Sequence, residues 1–364
     1  MIKKRILFIR PSLGAGGADK VTLTLLQHFD RSKFDVELCL MKSSGVLVSQ
    51  IPNDVPVQVI GVKSIFHTVP YFIKLYKENF DYLYATSSGI SVPLLIAKVF
   101  SNGKIDTIIS ERTSFIRKKK GSIKHRLLFI LKKRLSVYAN TVTVVSDSIK
   151  KELLEHTNIK EKNIQRVYNP VVPSNLNDLA NEKADYDFND EKYQTIVAIG
   201  RLEPVKNFDL ILDSLPLITS SNYRLIILGD GSLFDHFTER IKSENLSDKV
   251  ILKGYTANIY PYLQGADVFV LSSDFEGMPG ALIQAMAMGK CCIATNCPTG
   301  PAELIQDGKN GFLVNVKDTV SLAARLDETL NNKLLRKQLG SKASENVSQY
   351  ETIAAVSSYF DFLV

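Results

Sequence analysis

Apolar residues along the chain fall into short uninterrupted runs separated by stretches of helical period. Residues 5–10, 35–40, 82–85, 105–110 and 142–145 are β-rich runs, and a helix is predicted from about 19 to 29. Strands that alternate with helices in this way argue for a parallel sheet with helices on both faces. The rhythm lapses over 173–192, where Pro173, four Asn and several Asp and Glu leave little periodicity, so this stretch is the expected linker. It restarts with strands at 195–200, 224–228, 250–253, 268–272, 291–295 and 311–314 and helices at 208–217 and 234–244. Two doubly wound α/β domains are therefore expected, at 1–172 and 193–345. Ligands of such sheets bind beyond the C-terminal ends of the strands, which places the expected site in a cleft between two facing sheets.

Composition supports two ordinary cores, with 364 residues of which 45% are hydrophobic. No run of 18 apolar residues occurs and the apolar stretch at the start is too short for a signal peptide, so a cytoplasmic protein is expected. Its four cysteines would then be reduced, and Cys291, Cys292 and Cys297 read as small core residues of a buried strand rather than metal ligands. Charge divides the chain. Residues 1–172 carry 28 basic against 13 acidic residues, whereas 173–364 carry 17 against 25. Nine basic residues and no acid lie between Arg117 and Arg134, with Ile123, Leu127, Ile130, Leu131 and Leu135 at helical spacing. That pattern fits a basic amphipathic helix on an anionic membrane surface or facing an anionic acceptor; it equally fits a solvated helix whose apolar stripe is core.

Three loops at strand ends carry candidate chemistry. The first, Pro11-Ser-Leu-Gly-Ala-Gly-Gly-Ala18, brings Gly14, Gly16 and Gly17 to the start of a helix, where backbone and helix dipole can approach a phosphate or sugar. It is not a dinucleotide fingerprint, because the third glycine would fall at Asp19. The second, Gly200-Arg-Leu-Glu-Pro-Val-Lys-Asn207, supplies Arg201 and Lys206 as a clamp for a diphosphate, with Asn207 as the cap of the next helix. The third runs from Ser273 to Gly289. Pro279 suits the first turn of a helix, the free N–H groups of Gly280, Ala281 and Leu282 point at a docking anion, and Glu276 sits beside that anion as a reader of hydroxyls. Gly229 and Gly231 add a close-approach turn after another strand.

Taken in order, these segments resemble the retaining, nucleotide-sugar-dependent glycosyltransferases with two Rossmann-like domains (the GT-B type, family 4, group 1-like), a family that includes bacterial capsule and lipopolysaccharide enzymes. The resemblance covers nearly the whole chain and rests on Gly14 to Lys20, Ser110-Glu-Arg112, Tyr168-Asn-Pro170, Gly200 to Asn207, Glu276 to Gly289, Pro298 to Glu303 and Asp307 to Val314. It implies a donor-binding C-terminal domain, an acceptor-binding N-terminal domain and a final helix, over 346–364, packed back onto the first domain. It implies UDP as the commonest donor nucleotide and no metal or other cofactor. Arg201, Lys206 and Glu276 would carry catalysis, with Gly16, Gly17, Gly229, Gly280, Ala281, Leu282 and Gln284 around the donor. Glu111 and Arg112 are acceptor-side candidates, with a structural surface pair as the other reading of those two. One position departs from the family: a second Glu is expected where this chain has Gln284, which bears on donor affinity and is also compatible with a weakened copy.

The activity implied is transfer of a sugar to a lipid-linked or polysaccharide acceptor at the inner membrane face, with no nucleic-acid partner. A sugar-nucleotide epimerase of the same fold, independent of any acceptor, and a non-catalytic protein binding membrane or nucleic acid through 117–134 are the alternatives.

Overall fold

In the computed structural model of the chain, residues 2–14, 16–114, 123–188, 190 and 192–363 are described, those of 123–126 without their side chains. The chain folds into two units, one formed by Met1–Pro170 with Thr352–Val364 and the other by Val171–Glu351. The first holds strands β1 (Lys4–Arg10), β2 (Phe34–Leu40), β3 (Val57–Val59), β4 (Tyr82–Ala85), β5 (Asp106–Glu111), β6 (Thr141–Val144) and β7 (Ile164–Arg166). All pair in parallel in the order β3-β2-β1-β4-β5-β6-β7. Helices α1 (Gly17–His28), α2 (Val69–Leu75), α3 (Ser88–Ser101), α4 (Ile123–Leu135) and α5 (Asp147–His156) connect them. Central strands such as Ile6-Leu-Phe-Ile9 are apolar at successive positions and buried because helices cover both faces of the sheet.

The second unit repeats the plan with β8 (Gln194–Ile199), β9 (Tyr223–Leu228), β10 (Val250–Gly254), β11 (Val268–Leu271), β12 (Cys291–Thr295) and β13 (Phe312–Val314), parallel in the order β10-β9-β8-β11-β12-β13. Its helices are α6 (Leu176–Ala180), α7 (Phe208–Ser214), α8 (Phe234–Ser243), α9 (Tyr260–Gly265), α10 (Gly280–Ala287), α11 (Pro301–Leu304), α12 (Thr319–Leu330) and α13 (Lys333–Ser344). The last helix, α14 (Thr352–Phe360), belongs to the first unit, where Phe360 packs on Phe8 and Phe34 and the Tyr82 hydroxyl donates to the Leu363 carbonyl. Two doubly wound sheets are what the strand rhythm predicted. Each has a switch point, between β1 and β4 and between β8 and β11, where neighbouring strands lead to opposite faces.

Four expectations change. The edge strands β3 and β7 extend the first sheet beyond the predicted set; each is three residues long, too short for an alternating pattern to register. Residues 173–192 are not a free linker but part of the second unit. Their polar composition hides two aromatic anchors: Phe188 meets Tyr262 edge-on, with Tyr186 stacked edge-on against Phe188, while Asn258 donates to the Leu179 carbonyl. The terminal helix starts at Thr352 rather than 346, because 348–350 form a separate turn whose Tyr350 carbonyl accepts from the N–H groups of Val171 and Val172. The basic stretch is divided: Arg117 to Lys120 lie outside the described residues, and Lys132 is buried.

Cys291, Cys292 and Cys297 line the core of the second unit, and burial pushes the thiols of Cys291 and Cys297 up to about 12. The same core depends on a close backbone approach. A Cβ on Gly340 of α13 would lie 2.0 Å from the Gly289 carbonyl oxygen. Gly340→Ala is therefore expected to destabilise the protein by roughly 1–3 kcal/mol in chemical denaturation, although alanine is the better helix former. Unchanged or raised stability would show that α13 can move away.

Candidate active site

Parallel pairing of β8 with β11 sets the loops 200–207 and 272–279 side by side at the switch point of the second sheet. The loops are then bonded to each other. Asn207 takes a left-handed conformation (φ 48°), its side-chain oxygen caps α7 by accepting from Leu210 N–H at 3.3 Å, and its amide nitrogen donates to Asp274 at 2.9 Å. The Asp274 N–H donates to the Val205 carbonyl at 2.9 Å, and the Ser272 hydroxyl to the Lys206 carbonyl at 2.8 Å. Lys206 Nζ and Glu276 Oε1 form an ion pair at 2.5 Å, and the same oxygen accepts from the Ser273 hydroxyl at 2.6 Å. The Glu276 side chain is only 10% exposed and that of Lys206 22%, so the pair is shielded from screening. The Thr299 hydroxyl donates to the Glu276 carbonyl and fixes the loop from the other side. Arg201, by contrast, is exposed: its carbonyl accepts from the Glu203 N–H at 2.8 Å, but its side chain makes no hydrogen bond or ion pair among the described residues.

Helix α10 begins at Gly280, with Pro279 as the residue just before the helix rather than in its first turn. The helix offers no acceptor to the N–H groups of Gly280, Ala281 and Leu282, which leaves them for an anion. Gln284, one turn on, donates from its amide nitrogen to the Val171 carbonyl and the Tyr260 hydroxyl, both at 3.0 Å. Gly229 has a reason internal to the fold. With φ 152°, a Cβ there would lie 1.8 Å from the Gly200 carbonyl oxygen, so the glycine lets the turns after β8 and β9 touch. Lys206 and Glu276 thus come together, Arg201 lies on the loop that carries Lys206, α10 with Gln284 follows the loop that carries Glu276, and Gly229 packs against the Gly200 turn.

In the first unit, the Gly16 N–H donates to the Asp19 carboxylate at 3.3 Å, and that carboxylate pairs with Arg10. Buried Arg10 also donates to the Thr22 hydroxyl at 2.8 Å and to the Ala18 carbonyl at 3.1 Å, so it ties the end of β1 to the first turns of α1. Burial lowers its pKa and Asp19 opposes the shift. A Cβ on Gly17 would meet nothing within 4 Å, which leaves this glycine without a packing requirement inside the chain. Glu111 and Arg112 part company here. Glu111 is fully buried, forms an ion pair with Lys132 of α4 and accepts from the Ser88 hydroxyl at 3.3 Å; it is neither a surface partner of Arg112 nor open to an acceptor. Arg112 is half-buried and donates to Ser110 Oγ at 3.1 Å and Asn169 Oδ1 at 3.3 Å, below the Tyr359 ring. Asn169, also accepting from the Tyr359 hydroxyl at 3.2 Å, is a brace between loop and terminal helix.

Residues 181–346 match the family described as glycosyl transferases group 1, and residues 15–175 match glycosyltransferase family 4. The chain belongs to the group 1 glycosyltransferases. Among its relatives, the N-acetylgalactosamine-N,N'-diacetylbacillosaminyl-diphospho-undecaprenol 4-alpha-N-acetylgalactosaminyltransferase of Campylobacter jejuni is 27% identical, over 97% of both chains. An amylovoran biosynthesis glycosyltransferase of Erwinia amylovora is 26% identical over 99% of both. The solved structure of HepE from Anabaena, in complex with UDP and glucose, superposes with a TM-score of 0.81 at 18% identity, covering 99% of each chain, and confirms the GT-B fold. Within this glycosyltransferase, no group of three or more His, Cys, Asp or Glu among the described residues is arranged to hold a metal ion.

Sequence reasoning missed Arg10, Lys132 and Tyr260. Arg10 ends an apolar strand, a place where a charge signals a strand-end role; Lys132 and Tyr260 carry no such mark. Lys132→Ala would remove this cation from the buried Glu111 carboxylate, and a loss of about 3–5 kcal/mol in urea denaturation is expected. The double replacement Lys132→Met with Glu111→Leu should recover most of that stability. If the double variant proved no better than the single one, the ion pair would not be the origin of the loss.

Proposed function

We propose that this glycosyltransferase moves a sugar, of the hexosyl or N-acetylhexosaminyl type, from a nucleoside diphosphate donor to a lipid-linked or polysaccharide acceptor with retention of anomeric configuration. The observation that carries this reading is the pairing of Lys206 with Glu276 at one switch point, on loops that also carry Arg201 and lead into α10. Departure of a nucleoside diphosphate develops negative charge on phosphate oxygens. Arg201 and Lys206 meet that charge as cations, and the helix start meets it with oriented N–H dipoles, so the reaction is assigned no metal. Glu276 has one oxygen committed to Lys206 and Ser273, leaving Oε2 for hydroxyls of the donor sugar. The acceptor hydroxyl attacks on the face that the leaving group vacates, without an enzyme nucleophile.

UDP is the preferred donor nucleotide, supported by the UDP in the similar HepE structure, and a lipid-linked acceptor is supported by the undecaprenol diphosphate in the name of the Campylobacter relative. The biological setting is cell-surface glycan synthesis at the cytoplasmic face of the plasma membrane. Here α4 contributes the contact with anionic lipid. No helix of the described residues is long and apolar enough to cross a membrane, but Leu127 (57% exposed) and Ile130 (47%) project from α4 close to exposed Lys133 and Arg134. Phe100, 77% exposed, stands at the end of the neighbouring α3. Apolar side chains flanked by cations suit an interface of acyl chains below anionic headgroups.

Three experiments test these readings. Titration with UDP, GDP and their sugars should raise the melting temperature of the wild type, and Lys206→Ala or Glu276→Ala should reduce transfer to a lipid-linked acceptor by roughly a hundredfold or more while the variant stays folded. Near wild-type turnover would remove these residues from the mechanism, and epimer formation from donor alone would point to another reaction. In flotation with phosphatidylglycerol vesicles, Leu127→Asp combined with Ile130→Asp should abolish binding, whereas retention on vesicles would clear α4 of this role.

A further inference from the structure

The loop that carries Glu276 is fastened by two threonines at and beyond the end of β12. The Thr295 hydroxyl donates to the Ser273 carbonyl at 2.5 Å, and the Thr299 hydroxyl donates to the Glu276 carbonyl. Both threonines are buried. Thr299 reaches its acceptor in a conformation that threonine rarely adopts, with φ at 66° and that of the following Gly300 at 86°. Among the described residues, the other non-glycine positions with positive φ are Asn102, Asn207, Asn245 and Lys317, so Thr299 is the only β-branched residue held this way. A Cβ in the left-handed region crowds the following carbonyl oxygen, and branching at Cβ adds to that cost. Such a backbone persists only where the surrounding contacts impose it. Gly300 is part of the same fit: a Cβ there would lie 2.9 Å from the Gly277 carbonyl oxygen and from Pro279 Cδ, so the turn packs directly on the backbone that leads into α10.

Glycine or asparagine would hold the left-handed turn at position 299 with less strain. What threonine adds is the hydroxyl. Its acceptor belongs to the residue before Gly277, which has no Cβ to restrict the chain, so the peptide plane after Glu276 has little preference of its own. We propose that Thr299 is a positioning residue for Glu276: the strained turn holds its hydroxyl on the Glu276 carbonyl, and so fixes the carboxylate for the donor sugar before the donor arrives. Lys206 and Ser273 restrain the side chain at Oε1, and Thr299 restrains the main chain from which that side chain springs. The proposal rests on the donor reading above, in which Glu276 meets sugar hydroxyls while the cations meet the phosphates.

That division of labour supplies the test. Loosening Glu276 should weaken recognition of the sugar and spare the bare nucleotide, whereas a threonine with a purely structural role would lower the melting temperature and leave relative affinities unchanged. We would titrate full-chain wild type, Thr299→Val, Thr299→Gly and Thr299→Ser by calorimetry with UDP, GDP, UDP-glucose, UDP-N-acetylglucosamine, UDP-N-acetylgalactosamine and GDP-mannose, at a temperature where melting curves show each protein folded. For the sugar nucleotide that wild type binds, affinity relative to the bare nucleotide should fall about fivefold in Thr299→Val, which keeps the strain and loses the hydroxyl, and in Thr299→Gly, which loses both. Thr299→Ser keeps the hydroxyl, and its ratio should stay within about twofold of wild type, as should every variant's affinity for the bare nucleotide. Thr299→Gly, free of the strain, serves in place of Thr299→Val should the latter fail to fold. A wild-type ratio in Thr299→Val or Thr299→Gly, or a loss in Thr299→Ser as large as theirs, would overturn the proposal. Wild type that binds a bare nucleotide and none of the sugar nucleotides would refute Glu276 as a reader of sugar and the proposal with it, and wild type that binds no nucleotide at all would refute the donor reading itself.

Discussion

Parallel pairing of β8 with β11 is the constraint on which the rest of the candidate site depends. Lys206 and Glu276 are 70 positions apart in sequence, and no local propensity brings them together. The doubly wound order does, because β8 and β11 are neighbours whose connections leave in opposite directions and open a gap at their C-terminal ends. Once the strands are in register, short polar contacts between Asn207 and Asp274, Asp274 and Val205, and Ser272 and Lys206 fix the two loops against each other. The candidate side chains then project from a scaffold that is bonded on both sides, not from free loops.

The fold was largely legible in the sequence, for a physical reason. Strands buried on both faces must be apolar at every position, so runs such as Leu225-Ile-Ile-Leu228 stand out from their surroundings. Edge strands escape that rule, which is why Val57-Gln-Val59 and Ile164-Gln-Arg166 left no trace. Polar composition misled over 173–192, because two aromatic residues are enough to fasten a polar segment to a packed surface. The candidate residues at the strand ends stood out because glycine, proline and cations cluster there. Their partners did not, because a partner is set by tertiary placement.

Charge counting shows the same limit more sharply. Lys132 belongs by sequence to a run of cations, and by periodicity it could as well face water. Its burial against Glu111 depends on where β5 ends and how α4 lies across it, neither of which the local composition encodes. The result is a helix with two characters: one side exposes Leu127, Ile130, Lys133 and Arg134, and the other inserts a cation into the interior.

The two candidate cations, Arg201 and Lys206, differ in their electrostatic reach. Lys206 is matched by Glu276 at 2.5 Å, so at distances beyond a few ångströms the pair looks like a dipole, whereas Arg201 keeps its full charge in solvent. A diffusing dianion is attracted by the second and hardly by the first. On the proposed donor reading, association speed and its sensitivity to ionic strength belong to Arg201, and residence time belongs to Lys206, whose remaining N–H donors meet the phosphate while one stays on Glu276.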